Sequence, residues 1–262
     1  MKDYVNYSVN QVKSEVVELK NWGAYMVLDN FINETMFSSL VDDINTHKSY
    51  ILNQCGKQPC SIGGNGINYT LGGSGSSKGA FKPLIEVSES WNTFLKQMYS
   101  EQSKKYFHDI FSDTNTYKDI VKPYSGKVGC KLSFQTRNYG WVIHQDGLEK
   151  ILSFLIYLGN EGWDLESKGD TDLWVVKDKK QPYNSHESSL DSRLRRGAFS
   201  RKEASLKKSE MGYVHNFKSV EFVPNRILGF IRTNNSYHSI PPRILPKNVT
   251  RDCFQINIWH NE

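Results

Sequence analysis

The spacing of hydrophobic residues changes from a helical to a strand period near residue 127. Upstream of that point, apolar residues recur every three or four positions, as they do on the buried face of a helix. Asn33 is a good N-cap for a helix with the apolar stripe Phe37, Leu40, Val41 and Ile44. Similar stripes predict a first helix over 9–19 and a long helical region over about 84–112, whereas the Gly-, Ser- and Asn-rich stretch 55–81 predicts an irregular loop.

Downstream of residue 127, polar and apolar residues alternate, which is typical of strands. The segment 151–158 is almost continuously apolar, as in a strand covered on both faces. Strands are predicted over 128–134, 151–158, 173–176, 219–223, 226–233 and 252–259. Helices followed by many short strands predict an α+β fold, a sheet sandwich or barrel with helical buttressing. The polar parity of several strands indicates a polar interior, as a ligand cavity needs.

Length and composition narrow the class of protein. The chain has 262 residues, 38% of them hydrophobic, which is enough for a globular protein with a real core. It contains no run of about 18 apolar residues, so no membrane span is predicted. The first residues lack the apolar core of a signal peptide, and four irregularly spaced cysteines do not suggest a disulfide framework. These features predict a reducing, cytoplasmic location.

The net charge of +5 comes from one segment. Lys177 to Glu210 contains ten basic and five acidic residues, and it is rich in serine. A charge-dense stretch with few large apolar residues is typical of a solvated surface loop, and a lid that attracts an anionic substrate is the functional alternative. Because the excess is confined to this insertion, the charge argues against a nucleic-acid partner.

A histidine and a carboxylate two residues apart follow the apolar residues Trp141, Val142 and Ile143. In a strand His144 and Asp146 would point to the same face. One imidazole and one carboxylate are two thirds of the two-His, one-carboxylate set that holds non-heme Fe(II). The motif is short, and a polar strand end is the alternative interpretation.

The position of the other histidines leaves His215 and His238 as candidates for the third ligand. His238 follows the predicted strand 226–233, and the double proline after it forces a turn that lets the chain return as the last strand. Arg251 begins that strand, and it lies on the same face as the polar residues of the strand, which is the face expected to line the cavity. A guanidinium facing a cavity beside a metal site would suit a bidentate grip on a carboxylate.

Four blocks, in order, resemble the 2-oxoglutarate and Fe(II)-dependent oxygenases of the prolyl-4-hydroxylase-like branch. The first two blocks are His144-Gln145-Asp146 and the run from Lys150 to Leu158. The third is the segment from Asn225 to Phe230 that leads to Ser236-Tyr237-His238, and the fourth is Thr250-Arg251 before an alternating strand. The segment Leu28-Asp29-Asn30-Phe31-Ile32 is also similar to the usual opening of that family. The resemblance covers about residues 24–260.

The resemblance implies a double-stranded β-helix, a jelly-roll or cupin-like barrel, in one domain over 1–262. We expect a helical part over about 1–112, a barrel core over about 127–260 and a lid-like insertion over about 177–210. His144, Asp146 and His238 would ligate iron. Arg251 would bind the distal carboxylate of 2-oxoglutarate, with Arg243 as a rival.

Two further residues and the reaction follow from the same resemblance. Tyr157 would add a hydrogen bond to the cosubstrate carboxylate, unless it is a core tyrosine, and Gln135 could reach the cosubstrate or the substrate. The expected reaction is hydroxylation of an unactivated C–H bond with release of succinate and CO2, and ascorbate is expected as a stimulant. Asn257, where the nucleic-acid dealkylases have a second arginine, counts against that branch. We favour a small-molecule substrate; a peptide or glycan side chain and a non-catalytic ligand-binding barrel are the alternatives.

Overall fold

A computed structural model describes most of the chain. The described residues are 4–20, 22–59, 66–73, 77–147, 149–159, 163, 169–176, 214–241, 245–246 and 248–260. Arg243 and the charged insertion 177–210 lie outside these residues.

In the described part of the chain, six α-helices precede the main strands, and all but α3 are capped by the side chain of a serine, threonine or asparagine. They are α1 (Val9–Lys13), α2 (Glu34–Gln54), α3 (Lys82–Val87), α4 (Glu89–Met98), α5 (Glu101–Phe111) and α6 (Asn115–Ile120), and a short 3₁₀-helix (Lys78–Phe81) leads into α3. Asn33 caps α2 as predicted, since its side chain accepts hydrogen bonds from two backbone N–H groups of the first turn. None of the helices in the described part of the chain has the length and apolarity to cross a membrane.

The long helical region predicted over 84–112 is three separate helices. The hydroxyl of Ser88 accepts a hydrogen bond from the N–H of Trp91, and that of Ser100 accepts one from the N–H of Ser103. Each serine therefore caps a new helix, and the chain changes direction there while the apolar spacing continues.

The strands form two antiparallel sheets. They are β1 (Val17–Leu19), β2 (Gly23–Leu28), β3 (Gly56–Pro59), β4 (Ile67–Leu71), β5 (Lys127–Gln135), β6 (Trp141–His144), β7 (Lys150–Tyr157), β8 (Thr171–Val176), β9 (Val214–Val220), β10 (Ile227–Ile231), β11 (Tyr237–Ile240) and β12 (Arg251–Trp259). The larger sheet has the order β1-β2-β10-β7-β12-β5-β4-β3, and the smaller has the order β6-β11-β8-β9. The α+β class predicted from the sequence is confirmed.

Two sequence predictions in the N-terminal part are wrong. The helix expected over 9–19 ends at Lys13, and Val17–Leu19 pairs with β2 as a strand. The stretch 55–81, expected to be an irregular loop, contains β3 and β4, which extend the larger sheet beyond β5. Both strands are short and partly exposed, so they lack the alternating pattern that identified the later strands.

The last strand separates the hydrophobic core from a polar cavity. Phe254, on the helical side of β12, packs against Trp91 and Phe94 with ring centroids 5.4 and 5.5 Å apart. The opposite parity places Gln255 and Asn257 on the wall of the cavity, as the polar pattern predicted. The larger sheet thus has the helices against one face and the cavity against the other.

Candidate functional site

The pairing of two strands of the smaller sheet brings two histidines together across 94 positions of sequence. His238 on β11 and His144 on β6 are direct partners in the antiparallel register, and their ring centroids lie 4.3 Å apart. Asp146 follows β6 by two residues. One ligand atom of each of these three side chains lies within 4.8 Å of the others. His215, the alternative candidate, is exposed on β9 and is not part of this group.

The backbone fixes the proton on each of the two histidines. Nδ1 of His144 lies 2.9 Å from the carbonyl oxygen of Val142, and Nδ1 of His238 lies 3.2 Å from that of Ser236. A carbonyl oxygen only accepts, so each Nδ1 carries the proton and each Nε2 keeps its lone pair. Burial lowers the pKa of His144 to about 3 and also lowers the pKa of His238. Both imidazoles are therefore neutral near pH 7, which is the form that binds metals.

The Asp146 carboxylate is held at both oxygens. Lys150 Nζ donates to Oδ1 and Ser153 Oγ donates to Oδ2, each at 2.7 Å. Burial by itself would raise the pKa of this carboxyl, but the adjacent Lys150 ammonium lowers the pKa well below its ordinary value. The Nε of Arg232 also donates to the backbone oxygen of Asp146, at 3.2 Å.

This donor set fits a divalent transition metal. Two neutral imidazoles with backbone-locked tautomers and one ionised carboxylate are the ligands that non-heme Fe(II) sites use. Hydrogen bonds from the outer nitrogen of a ligating histidine to a carbonyl are typical of metal centres, where they fix the ring and raise its basicity. His144, Asp146 and His238 could therefore hold such an ion.

Arg251 lies at the start of β12, buried with only 3% of its surface exposed. Its guanidinium donates to Gln135 Oε1 at 2.9 Å, to Thr171 Oγ1 at 3.0 Å and to the carbonyl of Gly169. Gln135 is its register partner on β5. Tyr157 donates its hydroxyl proton to the same Thr171 Oγ1 at 2.7 Å. The three residues that the sequence suggested for the cosubstrate thus meet around Arg251, which contacts Gln135 directly and shares Thr171 with Tyr157.

Apart from these hydrogen bonds, the Arg251 guanidinium packs against aromatic rings. The rings of Tyr157 and Phe222 lie with their centroids 5.0 and 4.8 Å from its Cζ. In the part of the chain that the structure describes, no carboxylate forms an ion pair with the guanidinium. A buried cation is stable only with compensation, and an anionic ligand would supply it.

One cavity extends from the histidine pair to Gln135 and Thr171, the hydrogen-bond partners of Arg251, whereas Arg251 itself is not on its wall. It has a volume of about 230 Å³ and is lined by residues that include His144, Asp146, His238, Gln135 and Thr171. Thr171 lies on β8, two residues before Leu173, which is the register partner of His238. Sequence reasoning missed Thr171, because a threonine at a strand end is ordinary and carries no signal of its own.

Comparison with known proteins supports the fold. The sequence matches no protein-family model and no curated protein. A prolyl-4-hydroxylase of Pseudomonas putida aligns with 97% of this chain and 100% of its own, with a TM-score of 0.54 and 12% identity.

Two weaker structural similarities were also found. A prolyl hydroxylase from Trichoplax adhaerens, in complex with a peptide fragment of hypoxia inducible factor, covers 97% of this chain and 88% of its own, with a TM-score of 0.45 and 12% identity. IDO from Bacillus thuringiensis covers 98% of this chain and 96% of its own, with a TM-score of 0.47 and 12% identity. The similarity to the Pseudomonas putida protein shows that the chain has the fold of a prolyl-4-hydroxylase, as the sequence resemblance predicted.

Proposed function

We propose that this protein is a non-heme Fe(II) and 2-oxoglutarate-dependent dioxygenase, and that its two sheets form a double-stranded β-helix. The observation that carries the proposal is the group of His144, Asp146 and His238 in one polar cavity with Arg251 behind it. The topology supports the barrel, because β5, β7, β10 and β12 lie in the larger sheet and β6, β8, β9 and β11 in the smaller. The chain thus crosses repeatedly between the sheets, as in a jelly roll.

In this proposal His144, Asp146 and His238 hold the iron, and neighbouring groups keep these three side chains in the form that binds metal. The Nδ1–H bonds to Val142 and Ser236 leave both Nε2 atoms ready as ligands, and Lys150 keeps Asp146 ionised. Three protein ligands leave coordination positions for other molecules. When bound, the iron with 2-oxoglutarate and dioxygen supplies the oxidation that hydroxylates an unactivated C–H bond, with succinate and CO2 as the other products.

Arg251 would bind the distal carboxylate of 2-oxoglutarate at the end of the cavity where its hydrogen-bond partners Gln135 and Thr171 line the wall. Its planar guanidinium, buried without an anionic partner among the described residues, can grip a carboxylate through parallel hydrogen bonds. Thr171 and Tyr157 would complete this clamp with hydroxyl groups, and Gln135 would orient the guanidinium from its register position. Burial raises the pKa of Tyr157 to about 12, so its hydroxyl remains a hydrogen-bond donor at neutral pH.

We favour a small-molecule substrate, because a cavity of about 230 Å³ must also hold the cosubstrate. A peptide side chain is the alternative, since the Pseudomonas putida protein of the same fold is a prolyl-4-hydroxylase. Glycan side chains remain a further alternative. A reducing, cytoplasmic location is also part of the proposal, supported by the free thiols of Cys55, Cys130 and Cys253.

The triad is tested by metal titration. Under argon, wild-type protein should bind one Fe(II), and His144→Ala and His238→Ala should lose most of this affinity because each removes one of three ligands. His215→Ala is the matched control, because this histidine is exposed on β9 and should not affect binding.

Three results would contradict the assignment. Loss of binding in His215→Ala with retention in His238→Ala would move the third ligand. Full binding in both His144→Ala and His238→Ala would place the metal elsewhere. Absence of binding in the wild type would support the non-catalytic ligand-binding barrel instead.

A further inference from the structure

Ser153 is a polar residue in the middle of a strand that is otherwise apolar. Its neighbours on β7 run from Ile151 to Tyr157 and are all buried, and Ser153 itself is 2% exposed. Burying a hydroxyl there is unfavourable unless it makes hydrogen bonds. Asn257, its register partner on β12, is 1% exposed and lines the cavity. The two polar side chains therefore form one buried pair beside Asp146.

The hydrogen bonds of this pair have a definite direction. Ser153 Oγ lies 2.7 Å from Asp146 Oδ2 and 3.2 Å from the side-chain oxygen Oδ1 of Asn257. A hydroxyl has one proton, and the charged carboxylate makes the stronger bond with it. Ser153 must then accept from Asn257, which requires the carboxamide NH2 to face the hydroxyl.

The orientation of an asparagine carboxamide is assigned from its hydrogen bonds, and those of Ser153 favour the NH2 of Asn257 facing the hydroxyl. With Oδ1 toward Ser153, as in the structure, Nδ2 of Asn257 is buried and has no hydrogen-bond partner among the described residues. Rotation by 180° gives that NH2 a partner and leaves a carbonyl oxygen toward the cavity. Unpartnered carbonyl oxygens are less rare in proteins than unpartnered N–H groups. The direction of donation is therefore Asn257 to Ser153 to Asp146.

We propose that Ser153 and Asn257 are positioning residues that fix the Asp146 carboxylate for metal binding, an inference that rests on the proposed function. Lys150 holds Oδ1 and Ser153 holds Oδ2, so the carboxylate cannot rotate about its last side-chain bond without breaking one of them. Asn257 acts through Ser153: by donating to the hydroxyl, it leaves the serine proton for Asp146. The pair thereby ties Asp146, which follows β6 of the smaller sheet, to β7 and β12 of the larger sheet.

Manganese(II) provides the test, because its electron paramagnetic resonance spectrum reports both free ion and the symmetry of the bound ion. Ser153→Ala should lower the Mn(II) affinity by about 10- to 100-fold, the usual effect of losing a hydrogen bond to a metal ligand. It should also alter the spectrum of the bound ion. Asn257→Leu should have the same effect in weaker form. Ser153→Thr, which keeps the hydroxyl, should restore the affinity.

Ser133→Ala is the matched control. Ser133 is equally buried, at 0% exposure, and its hydroxyl has no hydrogen-bond partner. This variant should bind Mn(II) as the wild type does. Wild-type affinity and spectrum in Ser153→Ala would overturn the inference while leaving the metal site intact, and equal losses in both alanine variants would also overturn it, because they would indicate general loosening. Failure of the wild type to bind Mn(II) would overturn the proposed function itself, and the inference with it.

Discussion

The buried His108 and the half-buried His144 differ in whether their hydrogen bonds leave a ring nitrogen available. His108 on α5 uses both ring nitrogens: Nδ1 lies 2.7 Å from the hydroxyl of Tyr117, and Nε2 lies 2.9 Å from the carbonyl of Ser125. His144 uses Nδ1 for the carbonyl of Val142, and its Nε2 keeps a lone pair. A histidine with both ring nitrogens in hydrogen bonds is therefore structural, whereas one whose Nε2 keeps its lone pair is a candidate metal ligand.

His108 should make stability depend on pH. Burial lowers its pKa in the folded protein, whereas the unfolded chain has the ordinary value of about 6.5. The unfolded state therefore binds more protons below that value, and the stabilisation present above it is lost as the pH falls. In urea titrations of metal-free protein, we expect wild type to lose up to about 2 kcal/mol more than His108→Gln between about pH 7 and pH 5. Equal losses in both proteins would show that His108 does not titrate in this way.

At the scale of elements, α2 is tied to the site-bearing strand by an ion pair. Lys48 on α2 lies 2.9 Å from Asp252 on β12, whose side chain is fully buried next to Arg251. The hydroxyl of Thr250 also donates to this carboxylate. The tether holds the start of β12, where the parity of the strand decides which residues face the helices and which face the cavity.

Lys48→Met should therefore destabilise the fold more than a surface change of the same kind. Removing the ammonium from a buried carboxylate typically costs about 3–5 kcal/mol, and the partial exposure of Lys48 places it near the lower value. Lys13→Met is the matched control: its partner Asp113 lies at the same 2.9 Å but is 77% exposed, so this substitution should destabilise the fold much less. Urea unfolding measures both, and similar small losses would mean that the tether contributes little.

Across the whole molecule, β7 was predictable from its continuous apolar run, and β5 and β12 were predictable because their residues alternate with period two. That period, with the turn after His238, also allowed His144, Asp146 and Arg251 to be grouped from the sequence. Thr171 was not predictable, because its importance comes from contacts between β8, β7 and β12, which only the assembled sheets bring together.

The helix boundaries and the two short strands of the N-terminal part were not predicted, because the hydrophobic pattern carries no signal for them. The apolar spacing runs unbroken across Ser88 and Ser100, so a pattern of hydrophobic residues cannot locate the caps that divide the helices. In β3 and β4, pairing through the backbone replaces the apolar alternation that a sequence pattern would detect.

The central claim is that this cavity binds 2-oxoglutarate on iron with Arg251 at its distal end. The most direct measurement is an anaerobic titration of the Fe(II)-loaded protein with 2-oxoglutarate, followed through the visible metal-to-ligand absorption band. Removing one side of a buried charge pair typically costs about 2–5 kcal/mol, so Arg251→Ala should weaken binding by roughly 30- to 4000-fold. Arg251→Lys should recover part of it, and Arg243→Ala should leave it unchanged.

Fe(II) binding should survive in all three variants, since none changes the triad. A band in the wild type with this order of affinities is the result that the account predicts. The account would be contradicted by wild-type affinity in Arg251→Ala, or by a wild-type protein that binds Fe(II) but develops no band with 2-oxoglutarate.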